Sequence, residues 1–487
     1  MMVSNDSGRL AALLEQVRAQ GLPVASHSGK VVPGGIFVAI AGPTVDGAAY
    51  IPDALARGAA VVVAEPRTSL PAGATAELVA VENPRLALGA LAVARYGTDR
   101  LPMRLVAVTG TNGKTTVSYL IEHLAQAAGK KVGVLGTIGC RWPGYVKEAN
   151  LTTPDCLTIH ESLAAMAAAG CDLAVMEASS HAIDQDRLAG LAYDVTVFTN
   201  LTQDHLDYHK DMAAYFEAKA GLFRRYAKSR AGMVLGFDDP HGLRLLHEFP
   251  KALGYGLTVP PMGFSRLLTG NILSAGREGV RLEARLGEET FPIVSPMPGR
   301  HNVENILAAF GAALALDLPP TVLASLADFH GAPGRLERVQ NPAGLTVLVD
   351  YAHTPDALDN VLGAARTFTA GRLFVVFGCG GDRDRTKRPR MGAAVARHAD
   401  VAVLTSDNPR HEDPLAIIED VKPGLRAARR VVIEADRRRA IELALTEMRP
   451  EDVLVIAGKG HEPYQQIGDE KHPFSDAAVV RELTGCA

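Results

Sequence analysis

Leu105-Val106-Ala107-Val108, followed by Thr109-Gly110-Thr111-Asn112-Gly113-Lys114-Thr115-Thr116, decides the class of fold. Four apolar residues, half of them β-branched, predict a buried strand. The next segment is small and glycine-bearing. Val117, Leu120, Ile121 and Leu124 then recur at i, i+3, i+4 and i+7, the inner face of a helix that Gly129 stops. Strand, loop and helix in this order form a phosphate cradle: backbone N–H groups and the helix N-terminus face an anion, Lys114 neutralises it and the Thr115 hydroxyl is placed for Mg2+. The common P-loop has a further glycine where this chain has Val108, so the loop is a shorter variant. A plain strand-to-helix turn is the competing reading. With strand and helix both in place, a nucleotide site for ATP is the expectation.

The chain's 487 residues exceed one ordinary core and predict about three domains. A net charge of −4 offers no global field for nucleic acid. Cys140, Cys156, Cys171, Cys379 and Cys486 are odd in number, scattered and without CxxC spacing, which points to a reducing compartment and away from structural zinc. Arg9, Glu15 and Arg18 interrupt the first apolar run, so no signal peptide is expected, and no run approaches the ~20 residues of a membrane helix. A soluble cytoplasmic protein, with no nucleic-acid partner and no membrane insertion, is predicted.

The expected fold is α/β in three domains. Residues 1–98 form a small N-terminal α/β domain with a helix over Arg9–Gln20, a strand over Gly34–Ile40 ended by Gly42-Pro43, a helix over Ile51–Arg57 and a strand over Ala60–Ala64. Residues 103–332 form a central P-loop ATPase-like parallel-sheet domain. Its strand Leu173–Met176 carries Glu177-Ala178-Ser179-Ser180-His181 at its carboxyl end, and Val195–Phe198 leads into Asp204-His205-Leu206-Asp207-Tyr208-His209. A helix over Met212–Phe223 holds Lys219, and another runs through Ala313 from Gly299. Residues 333–487 form a C-terminal Rossmann-like α/β domain with strands at Leu345–Val349, Leu373–Phe377, Val401–Leu404 and Val453–Ile456, each followed by a charged or glycine-rich segment.

A carboxylate on a second strand beside a phosphate loop suits magnesium, which makes Glu177 the first metal candidate and His205 the second. A solvated Glu and a structural His are the bland alternatives. Asn302 and Asn305 share a helix face, either bracketing a base or ribose or serving as cap and turn residues. Arg383, Arg385, Lys387, Arg388 and Arg390 read for the most part as a solvated basic face, because no aromatics interleave with them. Asp407, Arg410 and Glu462 differ: opposite charges on one sheet edge suit a zwitterion.

These blocks together resemble the Mur ligases, the ATP-dependent amide-forming family of peptidoglycan precursor synthesis. Thr109–Thr116, Glu177–His181, Asn200–His209 and Asp350-Tyr351-Ala352-His353-Thr354-Pro355 carry the resemblance over nearly the whole chain, with the block Gly458-Lys459-Gly460-His461-Glu462. It implies an acid–amino-acid ligase that forms ADP and acts through an acyl phosphate, working in cell-wall biogenesis and so in cell shape and division. Gly110, Thr111, Asn112, Gly113, Lys114, Thr115, Thr116, Asn302, Arg335 and Asp350 are then the ATP residues. Thr115, Glu177, His205 and a carbamylated Lys219 are the Mg2+ residues, and Lys114, Glu177, His205 and Lys219 the catalytic set. Ser28, Thr152, Thr153, Ser179, Gln185 and Arg187 fall to a UDP-N-acetylmuramoyl dipeptide. The family's usual Asp-Ser-Arg is His27-Ser28-Gly29 here. Arg383, Asp407, Asn408, Pro409, Arg410, Gly458 and Glu462 fall to the incoming amino acid. Asp-Asn-Pro-Arg is the signature of the members that add meso-diaminopimelate, whose distal carboxylate the arginine grips. A monomer is expected.

Overall fold

Three large β-sheets, each covered by helices, and one two-stranded sheet are strung along the chain, in a computed structural model that describes residues 7–42, 45–149, 151–259 and 261–485. Pro43 and Cys486 lie outside the described residues, as does the side chain of Asp207. The first sheet has four parallel strands, Val24–Ala25, Ile36–Val38, Val61–Ala64 and Glu77–Ala80, paired in chain order. Helices Ser7–Gln20 and Pro84–Tyr96 pack Leu13, Val17, Leu88 and Leu91 against it. The strand Glu77–Ala80 and the helix Pro84–Tyr96 add to the elements expected from sequence.

The second sheet has eleven strands. Its parallel centre holds Arg104–Thr109 between Val195–Phe198 and Leu173–Glu177, with Val132–Leu135 beyond the latter and Met233–Gly236 and Leu253–Gly256 beyond the former. Leu105–Val108 are buried on both faces, which is why they form a continuous apolar run. Helices Lys114–Ala127 and Arg300–Ala315 cover one face, and Cys156–Ala168, Met212–Gly221 and Pro240–Glu248 lie on the other. An antiparallel meander, Leu267–Gly276, Gly279–Leu286 and Glu289–Ser295, extends one edge, and a hairpin, Cys140–Trp142 with Tyr145–Lys147, ends the other. The helix predicted over Met212–Phe223 keeps α geometry only to Gly221; Leu222–Tyr226 form a π turn.

The third sheet runs Glu337–Arg338, Thr346–Asp350, Val453–Ala457, Leu373–Phe377, Val401–Leu404 and Val431–Ile433, all parallel except the first. Val453–Ala457 is the last of these six strands in the chain but central in the sheet, so the strand order reverses around it, where such sheets bind ligands. A two-stranded hairpin, Tyr464–Ile467 with Glu470–Pro473, leans on the carboxyl ends. Thr354 caps the helix Pro355–Phe368 by accepting from the Ala357 N–H, as its sequence predicts.

Candidate active site

The phosphate loop is built by two glycines that no other residue replaces. Gly110 has φ +148°, and a Cβ there would lie 1.9 Å from the Thr199 hydroxyl. Gly113 has φ +85°, and its Cβ would meet the Asn305 carboxamide at 2.4 Å. No side chain caps the helix Lys114–Ala127, so its first N–H groups face the cleft. The Lys114 ammonium donates to the carbonyls of Gly110 (3.0 Å) and Thr111 (2.9 Å). Burial lowers its pKa, with Glu177 opposing.

This loop forms one wall of a cleft of about 400 Å³ that also takes in Thr137, Thr152, Glu177, Asp204, His205, Asn302, Asn305, Arg335, Asp350 and Tyr351. All the ATP candidates except Gly110 therefore line one cleft. Asn302 is a buried helical residue whose amide donates to the Pro298 carbonyl, and the Asn305 amide donates to it in turn. Gly299, not either asparagine, is the helix N-cap. The Asp350 carboxylate accepts the N–H groups of Leu336 and Ala352; burial raises its pKa and Arg335 works against that rise. The Arg335 guanidinium lies over the Tyr351 ring, and its buried Nε has no hydrogen-bond partner among the described residues. An orphaned guanidinium N–H in a cleft with a glycine loop and an open helix N-terminus fits a polyphosphate.

Glu177 is 1% exposed and accepts from the Thr115 hydroxyl, the Thr137 hydroxyl and the Thr137 N–H, each at 2.9 Å. The structure thus joins two of the four metal candidates directly. His205 lines the same cleft at φ +53°, beside Asp204 at 3.5 Å. Lys219 sits behind the loop, 1% exposed, its ammonium donating to the Gly110 carbonyl at 2.7 Å. Burial depresses its pKa far below that of an ordinary lysine, and Lys114 adds to the effect. Among the described residues no group of three or more His, Cys, Asp or Glu forms a closed metal cage. One buried carboxylate and one hydroxyl fit Mg2+, which takes a few protein oxygens and completes its shell with water and phosphate.

Five of the sugar-substrate candidates form a chain of contacts leading away from Glu177. Thr152 meets Thr137 at 3.1 Å, and Thr153 donates to the Glu177 carbonyl and accepts from the Ser179 N–H. Arg187 donates to the Thr153 carbonyl and to the Gln185 carboxamide, which reaches Tyr208. Ser28 is not among them. It is buried in the first domain, and its hydroxyl, ahead of Arg57, holds the Asp53 carboxyl below the usual range.

A second cleft, of about 420 Å³, opens at the carboxyl ends of the third sheet. Arg383, Asp407, Asn408, Arg410, Gly458 and Glu462 all line it, together with Tyr351, His353, Thr354, Cys379 and Lys387. Gly458 is required there, since a Cβ would stand 2.4 Å from the Asp407 carboxylate. Pro409 lies off the lining and closes the turn, its carbonyl accepting from the Glu412 N–H. Arg388 departs from the solvated basic face: it is 1% exposed and donates to Glu412 and Asp420. The Glu412 carboxyl is held down to about 2, chiefly by that guanidinium. Sequence reasoning singled out neither Thr137 nor the double role of Tyr351–Thr354, which lines both clefts. The only signal for the latter was the block Asp350–Pro355 itself.

The model for the Mur ligase middle domain matches residues 108–313, that for the Mur ligase, glutamate ligase domain residues 334–460, and that for the Mur ligase family, catalytic domain residues 24–96. A UDP-N-acetylmuramoyl-L-alanyl-D-glutamate–2,6-diaminopimelate ligase of Lawsonia intracellularis is 48% identical over 98% of this chain and 99% of its own. One of Synechococcus elongatus is 46% identical over 94% of this chain and 92% of its own. A solved structure of an enzyme bearing that name is 35% identical, with a TM-score of 0.69 over 95% of this chain and 94% of the other. The chain belongs to the Mur ligase family.

Proposed function

We propose that this ligase joins meso-diaminopimelate to UDP-N-acetylmuramoyl-L-alanyl-D-glutamate at the expense of ATP. The observation that carries this reading is that Tyr351, His353 and Thr354 line both clefts. A carboxylate activated at the phosphate loop is then presented to an amine held by the pocket around Arg410. In this scheme a carboxylate oxygen of the glutamyl residue attacks the terminal phosphorus of ATP and ADP departs. The amine nitrogen, having given up its proton, attacks the acyl carbon, and the tetrahedral adduct expels phosphate.

Several like charges must approach one another, so the cleft supplies positive charge where it is needed: Lys114, Arg335 and the N-terminus of the helix Lys114–Ala127. Thr115 and Glu177, with His205 and a carbamylated Lys219, are the residues to hold Mg2+, which neutralises phosphate charge when bound. Thr152, Thr153, Ser179, Gln185 and Arg187 hold the sugar-linked dipeptide. At the other end Arg410 faces the distal carboxylate, and Asp407 and Glu462 the neighbouring ammonium, with Asn408 bonded to Glu462 beside them. L-Lysine has no such carboxylate and would strand the Arg410 guanidinium. The reading also carries a monomer acting in the cytoplasm, with consequences for cell-wall growth and division.

Phosphate release tests it, measured with the UDP-dipeptide present and with meso-diaminopimelate, L-lysine or no amine added. Release that needs meso-diaminopimelate is expected, and Arg410→Ala raises its KM by about tenfold or more while the KM for ATP stays within twofold. Release without any amine, or equal use of L-lysine, overturns the assignment.

A further inference from the structure

Lys459 has no exposed surface, and it sits directly beneath the rim of the second cleft. Its ammonium donates to the Asn408 carboxamide oxygen at 2.9 Å, lies 3.4 Å from the Glu462 carboxylate and 3.6 Å from the Asp407 carboxylate, and stands 5.8 Å over the Tyr464 ring. All three polar partners line the amino-acid pocket, while Lys459 itself does not. A lysine is rarely buried this fully, and here its ammonium has two hydrogen-bond acceptors, Asn408 and Glu462, and a further carboxylate, Asp407, in ion-pair contact.

The network has a direction. The Asn408 oxygen accepts from both Lys459 and the Gln466 N–H, which fixes the amide so that its NH2 must point the other way, toward Glu462 at 2.8 Å. One Glu462 oxygen is thereby occupied by Asn408 and Lys459, leaving the other for a ligand. The Gln465 side-chain amide reinforces the arrangement by donating to the Asp407 backbone carbonyl. Two carboxylates sharing a half-dry rim repel each other; the ammonium between them offsets that repulsion and holds both in place before any substrate arrives.

We infer that Lys459 is a positioning residue, which, directly and through Asn408, pre-orients Asp407 and Glu462 as acceptors for the distal ammonium of the incoming diamino acid. The inference rests on the functional reading above and assigns the pocket floor a role in that site's selectivity. Lys459 touches no reacting atom, so its loss acts on amino-acid binding and spares the phosphate loop.

The test is steady-state kinetics of the full-length enzyme and its Lys459→Met variant, with ATP, UDP-dipeptide and meso-diaminopimelate varied in turn. The KM for meso-diaminopimelate is expected to rise about tenfold or more, with the KM for ATP and for the dipeptide within twofold and kcat reduced less than the KM is raised. An unchanged diaminopimelate KM in a folded variant overturns the inference, as does an equal rise in all three KM values. If Lys459→Met does not fold, the charge-balanced pair Lys459→Met with Glu462→Gln is compared with Glu462→Gln alone; a further rise confined to the diaminopimelate KM supports the role, and none refutes it. A wild-type enzyme that does not turn over meso-diaminopimelate refutes the functional reading instead, so the two failures are told apart.

Discussion

Lys219 shows how one side chain can be prepared for unusual chemistry by its surroundings. Its ammonium has lost water on all sides, donates to a single carbonyl of the phosphate loop, and feels Lys114. Burial and Lys114 both favour the neutral amine, the form that the proposed carbamylation needs: the nitrogen would bond the carbon of carbon dioxide and lose one proton, turning a cation into an anionic oxygen donor. Lys219→Ala is accordingly expected to lower kcat by about a hundredfold or more, with the KM for diaminopimelate within twofold. Kinetics across a magnesium titration check this, and full activity at low magnesium rules out a metal-bridging role. Residues of this kind were legible where their type is chemically committed: Lys114, Glu177, Arg410 and Glu462 all reach the clefts that their position after a strand predicts. Thr137 was not. A lone threonine after Gly136 has no sequence mark, and its importance comes wholly from the buried carboxylate it meets. Arg388 misled because a basic run looks solvated until Glu412 and Asp420 arrive from elsewhere in the chain.

Among the elements, the hairpin Tyr464–Ile467 with Glu470–Pro473 does most to hold the amino-acid pocket. The Gln466 N–H donates to the Asn408 side chain, the Arg410 N–H to the Gln466 carbonyl, and the Gly468 N–H to the Arg410 carbonyl. These bonds stabilise Arg410 at φ +50°, a left-handed conformation that costs a non-glycine residue about 1–2 kcal/mol. Gly468, at φ +59°, turns the hairpin. Gly468→Val therefore places a β-branched residue in left-handed backbone and is expected to raise the diaminopimelate KM about fivefold and lower the melting temperature, while Gly468→Asn stays close to wild type. Equal behaviour of the two variants in kinetics and thermal melts would show that the turn's conformation does not reach the pocket. The hairpin's sequence sign, Gly468-Asp469 between short runs, is weak because one flanking strand is half-exposed, the other is exposed throughout, and both lack an apolar alternation. The helix Pro84–Tyr96 had a fuller signature: Asn83 accepts from two N–H groups at its start, Pro84 opens it, and Gly97 at φ +66° ends it. The central parallel strands, such as Arg104–Thr109, Leu173–Glu177 and Val453–Ala457, were the most readable elements, since burial on both faces leaves them almost no polar residue, whereas the partly exposed edge strands Glu77–Ala80 and Val431–Ile433 were not read.

At the scale of the molecule, the sequence predicts three α/β units, yet their mutual arrangement depends on contacts between residues far apart in the chain. Arg85 of the first unit donates to the Gln185 carbonyl of the second, and Thr98 bonds His160. His160 is fully buried in the helix Cys156–Ala168. Its Nε2 must donate to the Ala189 carbonyl at 2.9 Å, so its Nδ1 accepts from the Thr98 hydroxyl at 2.6 Å, and the ring is neutral. Burial lowers its pKa to about 4. The sign follows from where the proton goes. Between pH 6.5 and 4 the unfolded chain takes up a proton at this position and the native chain does not, so stability falls as pH drops through that window, by about 2 kcal/mol at pH 5 relative to pH 7. His301, also pushed down to about 4 by burial, acts in the same direction. His160→Leu deletes one such group while leaving the Thr98 hydroxyl and Ala189 carbonyl unpaired, which costs about 1–3 kcal/mol at pH 7. The stability gap between wild type and variant should therefore narrow by about 2 kcal/mol between pH 7 and pH 5. Urea unfolding at the two values measures it. A gap that keeps its size would mean that His160 titrates alike in the folded and unfolded chain, and that this buried ring does not tie the first two units together as a neutral acceptor and donor.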